Sequence, residues 1–268
     1  MSQPMKLMAI LAHPDDESLG FGGTLIQYAE QGVETHLICA TRGERGRYFD
    51  NTNRPSLEEV GRVREQELKD AAAVLGLHSV AHLDYLDGDL DQAPVTEAIE
   101  RIVRQIRTIK PQVVMTFPAD GAYGHPDHIA ISQLAGAACL AAADSSFSPQ
   151  LGEPHAVSKL YWIAWPKEQW DAYQAAFKKL TTTVDGVERQ AAPWPDWAFT
   201  SVIEAEAHWP KVWQAIQCHK TQLAIYETLE SLTEEQHRVL WGKQFFYRVY
   251  STVNAGRKRE TDLFEGLR

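Results

Sequence analysis

Residues 6–20 read KLMAILAHPDDESLG: an apolar run from Lys6 to Ala12 stops at His13-Pro14 and turns into three acids in a row, Asp15, Asp16 and Glu17. A run of that kind, closed by a polar corner and followed by a helix-like stretch from about Leu19 to Gly32, is a strand, loop and helix unit. The pattern recurs along the chain. Val33 to Ala40 is a second strand, and Thr41 to Arg54, rich in Gly, Arg and Asn, is a long loop of the sort that is usually functional in compact domains. Pro55-Ser56-Leu57-Glu58-Glu59 opens a helix, with the Ser56 hydroxyl set to accept the Glu59 amide and the Glu59 side chain to reach back. That helix runs to Leu75 and ends at Gly76. A third strand falls near Val80 to Leu83, a third helix at about Ala93 to Ile109, a fourth strand at Gln112 to Phe117, and an Ala-rich helix after Pro126. Strands alternating with helices predict an α/β, Rossmann-like three-layer fold with a mostly parallel sheet, whose ligand crevice lies at the carboxyl ends of the strands.

Beyond residue 144 the pattern loosens. Val157 to Trp165 reads as a strand and Lys167 to Leu180 as a helix, then a turn-rich stretch with Pro193 and Pro195 leads to a β-like Phe199 to Ile203. All eight tryptophans fall in this half. The organisation expected is one domain over residues 1–268, with 1–144 as a metal-binding core and 145–268 as an irregular, Trp-rich part completing the substrate cleft. Most of the indoles are expected in the core, although aromatic rings also stack on sugar faces.

Composition narrows the function. With 26 Lys+Arg against 36 Asp+Glu the chain carries a formal charge of −10, which argues against a nucleic-acid binder, whose surface is cationic. No apolar run approaches the roughly 20 residues of a membrane span. No apolar segment of signal-peptide length precedes Asp15, and Cys39, Cys139 and Cys218 match neither a disulfide framework nor a metal knuckle, so reduced thiols and a cytoplasmic location are expected. A homo-oligomer is left open.

Two segments carry chemistry. Ala12-His13-Pro14-Asp15-Asp16-Glu17 sits at the carboxyl end of the first strand, and Gly124-His125-Pro126-Asp127-His128 lies just beyond the fourth. A His-Pro-Asp tripeptide in a loop means little alone; two of them, each after an apolar strand, open onto one edge of the sheet. Imidazole and carboxylate suit Zn²⁺, and His13, Asp16 and His128 as three ligands leave a fourth tetrahedral position for water, the arrangement of a catalytic zinc. Fe²⁺, Mn²⁺ and Co²⁺ fit the same donors.

On these motifs, together with Thr41-Arg-Gly-Glu-Arg-Gly46, Arg64 with Glu67, and Leu75-Gly76, the chain resembles the LmbE-like (PIG-L) zinc-dependent N-acetylglucosaminyl de-N-acetylases. The resemblance runs nearly continuously over residues 5–143 and more weakly over Phe199 to Gln222. It implies a metal-dependent amidohydrolase that removes the N-acetyl group of an N-acetylglucosamine derivative with metal-activated water, releasing acetate. It implies the same ligand trio, Asp15 as general base, and His125 opposite the water as oxyanion stabiliser or as acid to the departing amine, with Asp127 holding the His125 tautomer through a carboxylate–imidazole bond. Tyr123 matches a residue used near the carbonyl oxygen, or else packs at the rim. Glu44, Arg64 and Asp87 match positions that grip sugar hydroxyls. His219, in the stretch Ala215 to Gln222 that is similar to a family motif, is expected to be structural. Asp15 orienting His13 is the alternative to its role as base. Arg42, Arg45 and Arg47 form either a solvated face or a receptor for an acidic aglycone.

Two other functions bear on the same residues. A metal-dependent hydratase of an unsaturated carboxylic acid fits the fold and ligand set, and acetate release separates it from a deacetylase. A nucleotide-binding module would use Gly20, Gly22 and Gly23, but their spacing is not GxGxxG and acids occupy the phosphate position.

Overall fold

The opening apolar run becomes the centre of the sheet: Leu7 to Leu11 of β1 (Lys6–Leu11) are completely buried between two parallel neighbours. The computed structural model describes residues 4–177, 181–190, 192–253, 256 and 258–268. After β1 come α1 (Asp16–Glu30), β2 (Glu34–Thr41), α2 (Leu57–Leu75), β3 (Ser79–Tyr85), α3 (Val95–Ile109) and β4 (Val113–Thr116). A single distorted turn, α4 (Gly121–Gly124), precedes α5 (Pro126–Ala143) and β5 (Lys159–Ala164). The second half adds α6 (Lys167–Phe177), a hairpin of β6 (Thr181–Val184) and β7 (Val187–Gln190), β8 (Ser201–Glu204), α7 (Trp209–Cys218), α8 (Leu223–Glu230), α9 (Glu234–Trp241) and β9 (Lys243–Ser251).

Seven strands form the main sheet in the order β3-β2-β1-β4-β5-β9-β8. The first five are parallel, and β9 runs antiparallel to both β5 and β8. From β1 the chain steps outward to β2 and β3, then returns past β1 to β4 and β5. Crossovers of one hand that travel in opposite directions along a sheet put their helices on opposite faces. Thus α1 and α2 cover one face, joined by α7, and α3 packs with α5 on the other, giving the α/β three-layer arrangement. The reversal falls between β1 and β4, where the carboxyl ends of the strands open a crevice.

Local differences from the sequence reading have local causes. α1 begins at Asp16, three residues before Leu19, because acidic side chains are favourable in a first helical turn, where the backbone N–H groups point outward. Ser56 caps α2 as expected, its hydroxyl accepting the Glu59 amide at 3.2 Å, but the Glu59 carboxylate turns to Arg62 at 2.6 Å instead of reaching back. Gly76 ends α2 at φ 74°, a left-handed conformation that suits glycine. The helix expected over 167–180 is described as far as Phe177; residues 178–180 lie outside the described residues. All three cysteines are free, with Cys39 and Cys139 buried. No described helix is long and apolar enough to cross a membrane.

The apolar core is continuous across residue 144, taking in Tyr161, Trp241, Phe246 and Phe264 with the residues of β1 and α1. Of the indoles, Trp241 is fully buried and Trp170 nearly so, while Trp197 is 84% exposed, so the tryptophan-rich half is only partly core. The C-terminal segment is pinned by a buried polar knot. The Glu260 carboxylate, 2% exposed, accepts from Lys159 Nζ at 2.8 Å, Arg248 at 2.6 Å, Tyr161 at 2.7 Å and Ser201 at 2.8 Å. Burial alone would raise the Glu260 pKa; the Lys159, Tyr161 and Ser201 bonds outweigh it and hold the carboxyl below its ordinary value. Glu260→Ala leaves Lys159 buried without its counter-charge, and such a break costs about 3–5 kcal/mol, which a lowered urea midpoint will report. A depressed folded pKa stabilises above the unfolded value of about 4.3. That contribution is lost as pH falls through the folded pKa.

Candidate metal centre

His13 leaves the end of β1, Asp16 is the first residue of α1, and His128 lies in the first turn of α5, which follows β4. The strand order therefore delivers all three to the β1/β4 crevice, although 115 positions separate the two imidazoles. His13 Nε2 faces two carboxylates, Asp127 Oδ2 at 3.0 Å and Asp87 Oδ1 at 3.1 Å. Those acceptors fix the Nε2–H tautomer and leave Nδ1 as the lone-pair nitrogen. His128 is set the opposite way: its Nδ1–H donates to the Gly121 carbonyl at 3.2 Å, and its ring lies flat against Phe117 at 4.0 Å, so Nε2 faces the crevice. Asp16 Oδ2 accepts the amides of Ala12 at 3.2 Å and His13 at 2.8 Å, which leaves Oδ1 for the centre.

Two of the separations among these atoms suit an ion. His13 Nδ1 and His128 Nε2 are 3.2 Å apart, and His128 Nε2 and Asp16 Oδ1 are 3.3 Å apart. Donors about 2.0–2.1 Å from a tetrahedral ion are separated by about 3.3 Å. Donor atoms of His13, His125 and His128 lie within 4.8 Å of one another, and so do those of His13, Asp87 and Asp127. The Asp127 carboxylate is occupied, however, accepting the amides of Gly88 at 2.7 Å and Leu90 at 3.2 Å as well as the His13 ring. Its oxygens are thus taken up by two loop amides and the His13 ring. The electrostatics of the crevice are set by burial and by its carboxylates. Burial works against charge on His13, yet bonds to Asp127 and Asp87 raise its pKa well above the usual imidazole value. Burial also opposes the Asp16 charge, and His128 outweighs it to hold that carboxyl at about 2.

Asp15 lines the same cavity, of about 260 Å³. Its φ is 117°, a left-handed backbone rare for any residue but glycine. Arg64, 3% exposed, donates to Asp15 Oδ2 at 3.0 Å, to the Gly43 carbonyl at 2.9 Å and to the Pro14 carbonyl. Tyr123 and His125 complete the rim with ring centroids 6.0 Å apart. Burial and then the surrounding carboxylates push the Tyr123 phenol well above its ordinary range, so it stays protonated and can donate. His125 Nδ1 accepts the Asp127 amide at 3.2 Å, capping α5. That leaves the ring proton on Nε2. Burial, then charge on His13 and His128, lowers His125 to about 4, which makes it a neutral donor at pH 7.

The expected bond between the Asp127 carboxylate and the His125 ring is not formed. Two residues apart at a helix N-terminus, the pair meets through the Asp127 amide, while the Asp127 side chain turns across to His13. Asp87 lies on the cavity wall, bonded to His13 and accepting the Arg45 amide at 3.0 Å. Glu44 braces its own loop, accepting the amides of Arg42 at 3.3 Å and Asp87 at 3.2 Å. Arg42 pairs with Glu65 and Asp84, and Arg45 with Asp89. The second half of the chain contributes Trp165, Tyr173 and Gln222 to the cavity wall. Trp165 follows β5 directly, so the rule that ligands bind at strand carboxyl ends would have found it; Tyr173 and Gln222 have no such signal.

Comparison with known proteins converges on one family. The sequence profile of PIG-L, GlcNAc-PI de-N-acetylase, matches residues 8–139. The 1D-myo-inositol 2-acetamido-2-deoxy-alpha-D-glucopyranoside deacetylase 2 of Catenulispora acidiphila is 31% identical, over 99% of this chain and 98% of that one. Among solved structures, the N,N'-diacetylchitobiose deacetylase of Pyrococcus horikoshii superposes with a TM-score of 0.69 at 20% identity, covering 91% of this chain and 83% of that one. The 4-carboxy-2-hydroxymuconate hydratase of Pseudomonas putida KT2440 does so with a TM-score of 0.68 at 21% identity, over 94% and 99%, so the fold alone does not separate the two chemistries. The full-length likeness does: the chain belongs to the PIG-L family of GlcNAc-PI de-N-acetylases.

Proposed function

We propose that this deacetylase hydrolyses the N-acetyl group of an N-acetylglucosamine glycoside with a neutral polyol or sugar as aglycone, using a metal held by His13, Asp16 and His128. The observation that carries the reading is the pairing of that three-atom cluster with Asp15 and His125 on one cavity wall. Imidazole and carboxylate donors favour Zn²⁺. When bound, such an ion supplies Lewis-acid polarisation and makes water acidic enough to be a nucleophile near neutral pH.

The chain's own groups do the rest. Asp15 takes the proton of the attacking water as oxygen adds to the acetyl carbon. His125, neutral and protonated at Nε2, donates to the oxyanion, and Tyr123 offers a second donor from the same rim. Collapse breaks the C–N bond and needs a proton on the leaving nitrogen. Neutral imidazole is a weak acid, so that proton comes from Asp15, protonated in the first step; acetate and a free amine leave. Arg64 holds Asp15 in place, and Asp127 and Asp87 keep His13 in its ligating tautomer. A neutral aglycone is in keeping with two of the three loop arginines, Arg42 and Arg45, which are already paired with carboxylates. It is also in keeping with the inositol glycoside named for the Catenulispora relative.

The test is acetate release from free N-acetylglucosamine, N,N'-diacetylchitobiose, 1D-myo-inositol 2-acetamido-2-deoxy-alpha-D-glucopyranoside and a glycosyl malate, before and after chelation. Release that disappears with chelator and returns with zinc, fastest on a neutral glycoside, is expected. Restoration by Fe²⁺, Mn²⁺ or Co²⁺ but not by Zn²⁺ would overturn the metal assignment. Silence across the whole panel from metal-loaded protein would overturn the substrate class.

A further inference from the structure

Glu17 and His219 take no part in the steps above, yet both side chains are completely buried. The Glu17 carboxylate collects three donors: the backbone N–H of Asp15 at 2.9 Å on Oε2, and on Oε1 the His219 ring at 2.9 Å and the Ser18 hydroxyl at 2.5 Å. His219 arrives from the turn between α7 and α8, 202 positions along the chain, and its Nδ1 is buried with no hydrogen-bond partner among the described residues. An unpartnered buried nitrogen is costly, so the ring is held there for what Nε2 does. What Nε2 does is grip Glu17.

The residue that Glu17 grips in turn is the strained one. A left-handed backbone costs a non-glycine residue about 1–3 kcal/mol and persists only where its surroundings over-determine it. Several bonds hold Asp15: Arg64 bonds the carbonyl before it and its carboxylate, its own carbonyl accepts the amides of Ser18 at 3.1 Å and Leu19 at 2.9 Å, and Glu17 takes its amide. Remove the amide acceptor and the peptide between Pro14 and Asp15 keeps its carbonyl bond to Arg64 but loses its N–H anchor, which shifts the balance toward an ordinary φ and the carboxylate off the cavity wall.

We propose that Glu17 and His219 are positioning residues for the general base: Glu17 holds the Asp15 amide in its left-handed conformation, and His219 locks the Glu17 side chain from the C-terminal half. The proposal rests on Asp15 being the base. It makes the turn after α7 part of the active site, although none of its atoms needs to touch substrate. A plain structural pair tying the two halves together would instead change stability and leave the chemistry of the folded enzyme alone.

The experiment is a mutant cycle on the zinc-loaded full-length enzyme with 1D-myo-inositol 2-acetamido-2-deoxy-alpha-D-glucopyranoside as substrate. His219→Leu is expected to lower kcat about 100-fold, the scale of a misplaced reacting group, with KM and zinc per chain unchanged. His219→Gln, whose amide can still donate to Glu17, recovers at least about tenfold of that loss. In an Asp15→Asn background His219→Leu changes kcat by less than about twofold, because the group it positions is gone. If His219→Leu does not fold, Glu17→Gln carries the test, since its single acceptor oxygen cannot serve all three donors. Equal losses in both backgrounds, loss of zinc, or an unchanged kcat in the folded variants would overturn the proposal. Full activity in Asp15→Asn itself would overturn the base assignment instead, so the two failures are distinct.

Discussion

Asp15→Asn is expected to lower kcat by about 1,000- to 10,000-fold while the enzyme binds metal as before, the upper range for removal of a general base. The substitution is chosen for geometry. Asparagine tolerates the left-handed backbone that Asp15 adopts at φ 117°, and its amide oxygen can still accept from Arg64, so the loop keeps its shape. What is lost is the ability to take a proton from water and return it to nitrogen. Because one carboxylate serves both transfers, no second group rescues either step. Acetate release measured beside metal content on the same samples checks this. Loss of metal in parallel with activity would make Asp15 a ligand and remove it as base.

The second large effect falls on binding. His128→Ala removes one of three donors and should weaken metal affinity by more than about 100-fold, the upper end of what losing a supporting hydrogen bond costs. Turnover should fall with occupancy. The two remaining donors, His13 Nδ1 and Asp16 Oδ1, stay in place because their supports, Asp127, Asp87 and the amides of Ala12 and His13, are untouched. Competition against a chelator of known affinity measures the change, and a melting curve shows whether the gap beside Phe117 has unfolded the protein. Unaltered metal affinity in a folded His128→Ala would break the ligand set.

The sequence shows the fold most clearly where burial is most complete. β1 and β4 are covered on both faces and appear as the apolar runs Leu7–Leu11 and Val113–Met115, while β2 carries a shorter run, Leu37–Ala40, after three polar residues. The C-terminal half is harder for a physical reason. Lys243–Ser251 turns Gln244 and Phe246 inward with a period of two, a readable strand, but nothing local says that it inserts between β5 and β8 and not elsewhere. Such pairing is decided by partners 90 residues away, as at Leu160 and Tyr250, and no window on the sequence spans them. In the same way His13, Asp16 and His128 can be paired from their strands, because the chemistry of the residues and the strand-end rule point to one place. The supports cannot. Asp127 sits two residues from His125 and so suggests a local bond, whereas helix geometry turns its carboxylate onto His13; Asp87 reaches the same nitrogen from a loop crowded with other acids. Glu17 stands in full view as the last residue of the first motif, but its partner His219 is brought to it only by tertiary packing.

The enclosure of the two imidazoles bears on how the ion comes and goes. His13 is backed by Asp87 and Asp127, and His128 is covered by Phe117 on its ring face and by Gly121 at Nδ1. The open side is the cavity that Asp15 and Tyr123 also face. On the proposed ligand set, metal and sugar would share one door, and a bound glycoside would act as a kinetic stopper: with the cleft filled, an ion inside would exchange with solvent more slowly than in the idle enzyme.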